Sequence, residues 1–143
     1  MNARSLFDAA LWLAALGHLI VAAAASQVPR VLRWNEELPR LGSFNRKIFR
    51  VYGNYILMVI AALGAFTAVF REEMLRGERT ALAVALFIGV FWLGRIVVDF
   101  FYYSHDDWPR GRVFVVGHVL LTALFICMSG TYFALVAWHA GWL

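Results

Sequence analysis

FWLGRIVVDFFYYSHDD, residues Phe91 to Asp107, joins an apolar helical run to ionisable residues and points to a membrane helix bundle. It opens as the second half of an apolar run and closes in a polar knot. Arg95 and Asp99 stand four residues apart within the run, so a helix places them on one face, and the same phase extends to Tyr102 and Asp106. Ionisable side chains in a hydrocarbon layer are costly; they pair, turn to the protein interior and mark functional sites.

Working outward, the whole chain shares the apolar character of this run. Of its 143 residues 62% are hydrophobic and only 15% charged, and the mean hydropathy is +0.69. A soluble domain is about 45–50% apolar and about 25% charged. The balance predicts an all-α integral membrane protein. Runs at about 6–25, 48–70, 80–103 and 112–137 each meet the ~20-residue length of a transmembrane helix. Four such spans with short connectors predict an up-down bundle in a single membrane domain covering residues 1–143.

The first run contains Arg4, an apolar stretch and Ala23-Ala24-Ala25 before Ser26, which together resemble a cleavable signal peptide. Asp8 and His18 interrupt it and favour a retained span. Residues 26–47 form the longest connector, where Val31, Trp34, Leu38 and Leu41 recur at helical spacing among arginines and glutamates. That pattern fits a short interfacial helix, with an ordinary solvated loop as the alternative, since Pro39 limits any helix to few turns. Gly77 is a helix stop after REEMLR. Trp138 and Trp142 suit an aromatic belt. Cys127 is the only cysteine, which excludes a disulfide framework and a thiol pair.

The net charge of +4 raises nucleic acid as a partner. The basic residues lie in short connectors between apolar runs, so membrane lipids, with anionic headgroups, are expected instead. Eight basic residues fall on the side of connectors 26–47 and 104–111, and Arg4, Arg71, Arg76 and Arg79 on the side of the termini. The positive-inside rule then places those two connectors in the cytoplasm and both termini outside, as in a bacterial inner membrane.

Counting depth at about 1.5 Å per residue brings polar residues of all four spans to one layer near the connector side. His18 and Asn54 lie roughly 10 Å deep, His118 roughly 9 Å, and Asp99 and Arg95 roughly 6 and 12 Å. His118, Thr122, Ser129 and Tyr132 form one stripe on span four, and Ala14, His18 and Ala22 one line on span one. Small residues there admit a neighbouring helix or a flat cofactor.

Each feature has a plain and a functional reading. Arg95 with Asp99 is either a register-fixing ion pair or an anchor for an anionic head with a proton-handling carboxylate, and Asp99 alone could stand unpaired and protonated. His18 and His118 are either packing histidines or a pair of metal ligands, holding the iron of haem b between facing helices. In that case Arg50 and Arg112 meet propionates, while Tyr52, Asn54 and Tyr55 line the same pocket. His105, Asp106 and Asp107 read as a turn or, with His118, as a metal cluster of non-standard spacing.

Three functions follow. The first is a redox-associated subunit, with His18 and His118 on haem b and Arg95, Asp99 and Tyr52 around a quinone or other isoprenoid lipid. The second is a lipid-modifying enzyme, with Asp99, His105 and His118 as catalytic acid–base groups and Arg95 holding a headgroup. The third is a structural or assembly subunit contacting partner membrane subunits. The outline resembles the four-helix membrane anchors that bind b-type haem, and many small bacterial four-span proteins. No motif is shared residue by residue, so the resemblance assigns no role.

Overall fold

A computed structural model describes residues 2–103 and 111–142. These form helices throughout: α1 (Ala3–Val31), α2 (Trp34–Glu37), α3 (Ser43–Val69), α4 (Arg71–Arg76), α5 (Arg79–Phe101) and α6 (Arg112–His139). A 3₁₀ turn, Leu38–Arg40, follows α2. The four long helices are each long and apolar enough to cross a bilayer.

Local chemistry sets the boundaries. Asn2 caps α1 by accepting the Ser5 backbone N–H, and Gly77 ends α4 in the left-handed region at φ 75°. α1 runs six residues beyond the expected Ala25, carrying Pro29 in its last turns. Proline gives up one backbone hydrogen bond there, and the chain turns only at Arg33, φ 49°. The expected interfacial helix exists as the single turn α2. Its Trp34 lies edge-on to Phe49 and against Gly53, so it packs on α3. The charged connector after α3 is itself helical, as α4.

α1 packs along α3, α5 along α6, and α1 against α6. Contacts at the helix ends fix the up-down order. Phe7 stacks on Trp138 near the end of α6, with centroids 5.0 Å apart. Asp8 pairs with Arg71, and Arg4 with Glu72, just past the end of α3. The start of α1 therefore sits beside the ends of α3 and α6 (the terminal end), and the residue 32–42 connector lies at the other (the connector end).

The core joins Leu11, Ala14, Val21, Ile60, Leu63, Ile88, Trp92, Phe125, Met128, Tyr132 and Leu135. Close approach is built in at Gly64, where a Cβ would fall 2.8 Å from His18 Cβ. The close approach of α3 is thus to His18 and Ala15 of α1, whereas Ala14 lines a groove against Leu124, Cys127 and Met128 of α6. Most of the outer surface is apolar: Leu13, Leu19, Phe44, Tyr52, Phe87, Phe101, Val113 and Leu120 are among the large exposed side chains.

Candidate functional site

The polar residues gather in two groups at different levels. The first lies between α5 and α6 near the connector end. Asp99 is 3% exposed. Its Oδ1 accepts from Arg95 Nη1 at 3.2 Å, one helical turn back. Its Oδ2 accepts from the Thr122 hydroxyl at 3.1 Å and lies 3.3 Å from His118 Nε2. The alternative of an unpaired Asp99 is therefore corrected: three groups from two helices surround it. The apolar residues between Phe91 and Phe101 hold α5 helical, and antiparallel packing on α6 brings residue 122 opposite residue 99.

Arg95 is held differently. Its guanidinium carbon lies 5.5 Å from the Phe125 ring centre and 5.6 Å from that of Tyr103, and its side chain is 39% exposed. A guanidinium within about 6 Å of aromatic ring centres makes favourable cation–π contacts. The helical phase does not carry on to Tyr102: α5 ends at Phe101, and Tyr102 turns outward, 80% exposed. His105, Asp106 and Asp107 lie outside the described residues. Among the described residues no group of three metal-ligating side chains occurs.

The second group is the core around His18. Trp92 Nε1–H donates to His18 Nε2 at 3.1 Å, and His18 Nδ1 lies 2.8 Å from the Ala14 carbonyl. The indole has only a proton to give, so Nε2 is the bare nitrogen and Nδ1–H donates to Ala14. Tyr132 meets the His18 ring edge-on at 6.3 Å. Its hydroxyl is 2.6 Å from the Thr67 hydroxyl, which gives its own proton to Leu63 O at 2.8 Å, so Tyr132 donates to Thr67. Ser129 donates to Gly89 O at 3.0 Å.

These partners separate the two histidines. Trp92 precedes Asp99 by seven residues on α5, which puts His18 about 10 Å below the carboxylate. The matched-depth expectation fails because α1 is longer than its apolar run. His18 lies thirteen residues, roughly 20 Å, before Val31, whereas His118 lies six residues, roughly 9 Å, into α6. With both ring nitrogens of His18 committed to the protein, a shared haem iron has no ligand from α1 in this arrangement.

The α3 residues also depart from the expected layer. Tyr52 is 66% and Tyr55 58% exposed, and Arg50 and Asn54 are exposed as well. α3 begins five residues before Ile48, and its first buried residue is Ile60, so this half of the helix turns its polar groups outward. Arg112 is exposed at the start of α6. The cluster is thus made of Arg95, Asp99, His118 and Thr122. An apolar groove of about 330 Å³ on the α1–α3 hairpin, lined by Trp12, Ala15, Leu19, Ala61 and Gly64 among others, adds no polar side chain.

The charge pattern at the two ends is sharper than a sequence count gives. At the terminal end Arg4, Arg71 and Arg76 are each paired with Asp8, Glu72, Glu73 or Glu78. At the connector end Arg33 and Arg40 pair with Glu36 and Glu37. Arg30, Arg46, Lys47, Arg50 and Arg112 have no acidic partner among the described residues, so net positive charge collects on the side of the Asp99 cluster.

Trp92 and Thr67 were not legible as functional or structural partners from spacing. A tryptophan in the middle of an apolar span is the one signal that pointed to a buried N–H needing an acceptor. Comparison with protein-family models, curated proteins and solved structures finds no match.

Proposed function

We propose that the chain is an integral membrane protein whose Asp99–His118 pair moves a proton at a site near the connector-end interface, acting on the polar end of a membrane lipid. The observation that carries this reading is the buried Asp99 carboxylate, held by Arg95 and Thr122 and 3.3 Å from His118 Nε2. At 3.3 Å the imidazole stands just beyond direct hydrogen-bond reach of the carboxylate, so a small side-chain shift or one bridging water would let a proton pass between them, the core requirement of acid–base chemistry. Thr122 and Arg95 fix the carboxylate so that the exchange has one geometry. Arg95, partly exposed and within cation–π distance of Phe125, offers the binding group. The four apolar helices support membrane insertion, and the unpaired basic residues support a cytoplasmic connector end and an external terminal end.

This reading ranks the lipid-modifying enzyme above the haem subunit, because His18 is tied into the core. A quinone or other isoprenoid lipid remains compatible with the same donors, whereas His18, bonded through both ring nitrogens, does not join His118 as an axial pair for haem b. Exposed Asn54, Tyr52 and Tyr55 on α3 are where partner membrane subunits would find polar contacts.

The test compares lipid profiles of cells expressing the wild type, Asp99→Asn or His118→Ala against an empty vector. The wild type shifts the profile and both variants abolish the shift at equal membrane abundance. A shift that persists in both variants overturns the acid–base role.

A further inference from the structure

We infer that the ligand of this site is an anionic phospholipid, recognised through its phosphate by Arg95. The inference rests on reading the Asp99 cluster as open to the bilayer, and it names the headgroup class.

Three observations converge. Arg95 spends one N–H on Asp99 Oδ1 and has a side chain 39% exposed. A guanidinium carries five N–H donors in a fork that matches phosphate oxygens in pairs. The guanidinium carbon lies 5.6 Å from the Tyr103 ring centre and 5.5 Å from that of Phe125, and among the described residues the guanidinium's one hydrogen-bond acceptor is Asp99. Arg95 lies six residues, roughly 9 Å, before the end of α5, within reach of the headgroup layer but below the bulk-water surface.

The carboxylate is held on both oxygens: Oδ1 accepts one N–H of Arg95, and Oδ2 accepts from Thr122 and lies 3.3 Å from His118, so Arg95 stays on Asp99 while its remaining N–H groups meet a phosphate. The cation then stands between the two anions, which removes the repulsion a bare carboxylate would impose. Finally, Arg30, Arg46, Lys47, Arg50 and Arg112 lie at this end and have no acidic partner among the described residues. Basic residues at an interface enrich the adjoining leaflet in anionic lipid, which raises the local supply of the ligand. At the terminal end, where the arginines are mostly neutralised, there is no such enrichment.

The experiment reconstitutes the full chain in nanodiscs of phosphatidylcholine with or without phosphatidylglycerol, and counts by native mass spectrometry the lipids that survive re-extraction. The wild type retains phosphatidylglycerol over phosphatidylcholine. Arg95→Gln lowers that retention roughly ten- to hundredfold, the loss expected for a charged hydrogen bond. Arg95→Lys, which keeps the charge but loses the fork, falls between them. Arg79→Gln, at the terminal end, leaves retention as in the wild type.

Equal retention of the two lipids by the wild type, or undiminished retention in Arg95→Gln, overturns the inference. If Arg95→Gln fails to fold, Arg95→Lys decides: full retention there overturns it. Inorganic phosphate added as competitor separates the sources. Displacement of the retained lipid by phosphate alone assigns the site to the free ion and overturns the lipid. Retention is read without turnover, so retained phosphatidylglycerol with an unchanged cellular lipid profile sinks the enzymatic reading and leaves this one standing.

Discussion

Replacing Gly64 by alanine tests the crossing on which the whole arrangement depends. A Cβ at this position would sit 2.8 Å from His18 Cβ and 3.5 Å from the Ala15 carbonyl oxygen. The first contact is far inside van der Waals distance, and the atom it meets is anchored directly to the α1 backbone. Relief therefore requires α1 and α3 to separate, and His18 cannot swing aside because both its nitrogens are bonded. Overpacking of this kind costs about 1–3 kcal/mol. Alanine also favours the helix over glycine by about 1 kcal/mol, which masks part of the cost.

Gly130→Ala supplies the reference, because a Cβ there meets nothing within 4 Å. Both variants carry the same propensity gain, so the difference between them isolates the crossing. It should be about 1–3 kcal/mol in favour of Gly130→Ala. Denaturant unfolding in detergent micelles, followed by far-ultraviolet circular dichroism, measures it. Equal stability of the two alanine variants would refute the close approach of α1 and α3 at His18.

Trp92→Phe keeps the ring stacked on Phe125 but removes the donor to His18 Nε2, and should cost about 1–3 kcal/mol in the same assay through the unsatisfied buried acceptor. Thr122→Val removes one hydrogen bond to the Asp99 carboxylate. It should lower stability by about 1.5–3 kcal/mol, and an unchanged midpoint would argue against the bond. Protein supplied with haem should show no Soret band; a band lost in both His18→Ala and His118→Ala would place the two histidines on one iron and contradict the core role of His18.

The sequence alone specifies an all-helical chain whose four long helices are apolar enough to cross a membrane. Composition, run length and the short connectors between runs are enough, because an apolar segment of about 20 residues has few other stable fates. It also determined the Arg95–Asp99 pair, since a four-residue spacing inside a helix fixes relative position locally. The stripe His118, Thr122, Ser129, Tyr132 was readable for the same reason: phase along one helix is a local property.

Which stripes face each other, and at what height, is set by tertiary packing. Helix phase is relative, and depth counted from the end of an apolar run fails when the helix outlasts the run, as α1 does through Pro29 to Val31. His18 and His118 share a depth on paper and occupy different levels in the bundle. Trp92, seven residues below Asp99 on α5, takes His18 out of the site. Thr122, from the facing helix, completes the pairing of Asp99. Packing partners come from residues 23 to 74 positions away in the chain, and no local spacing encodes them.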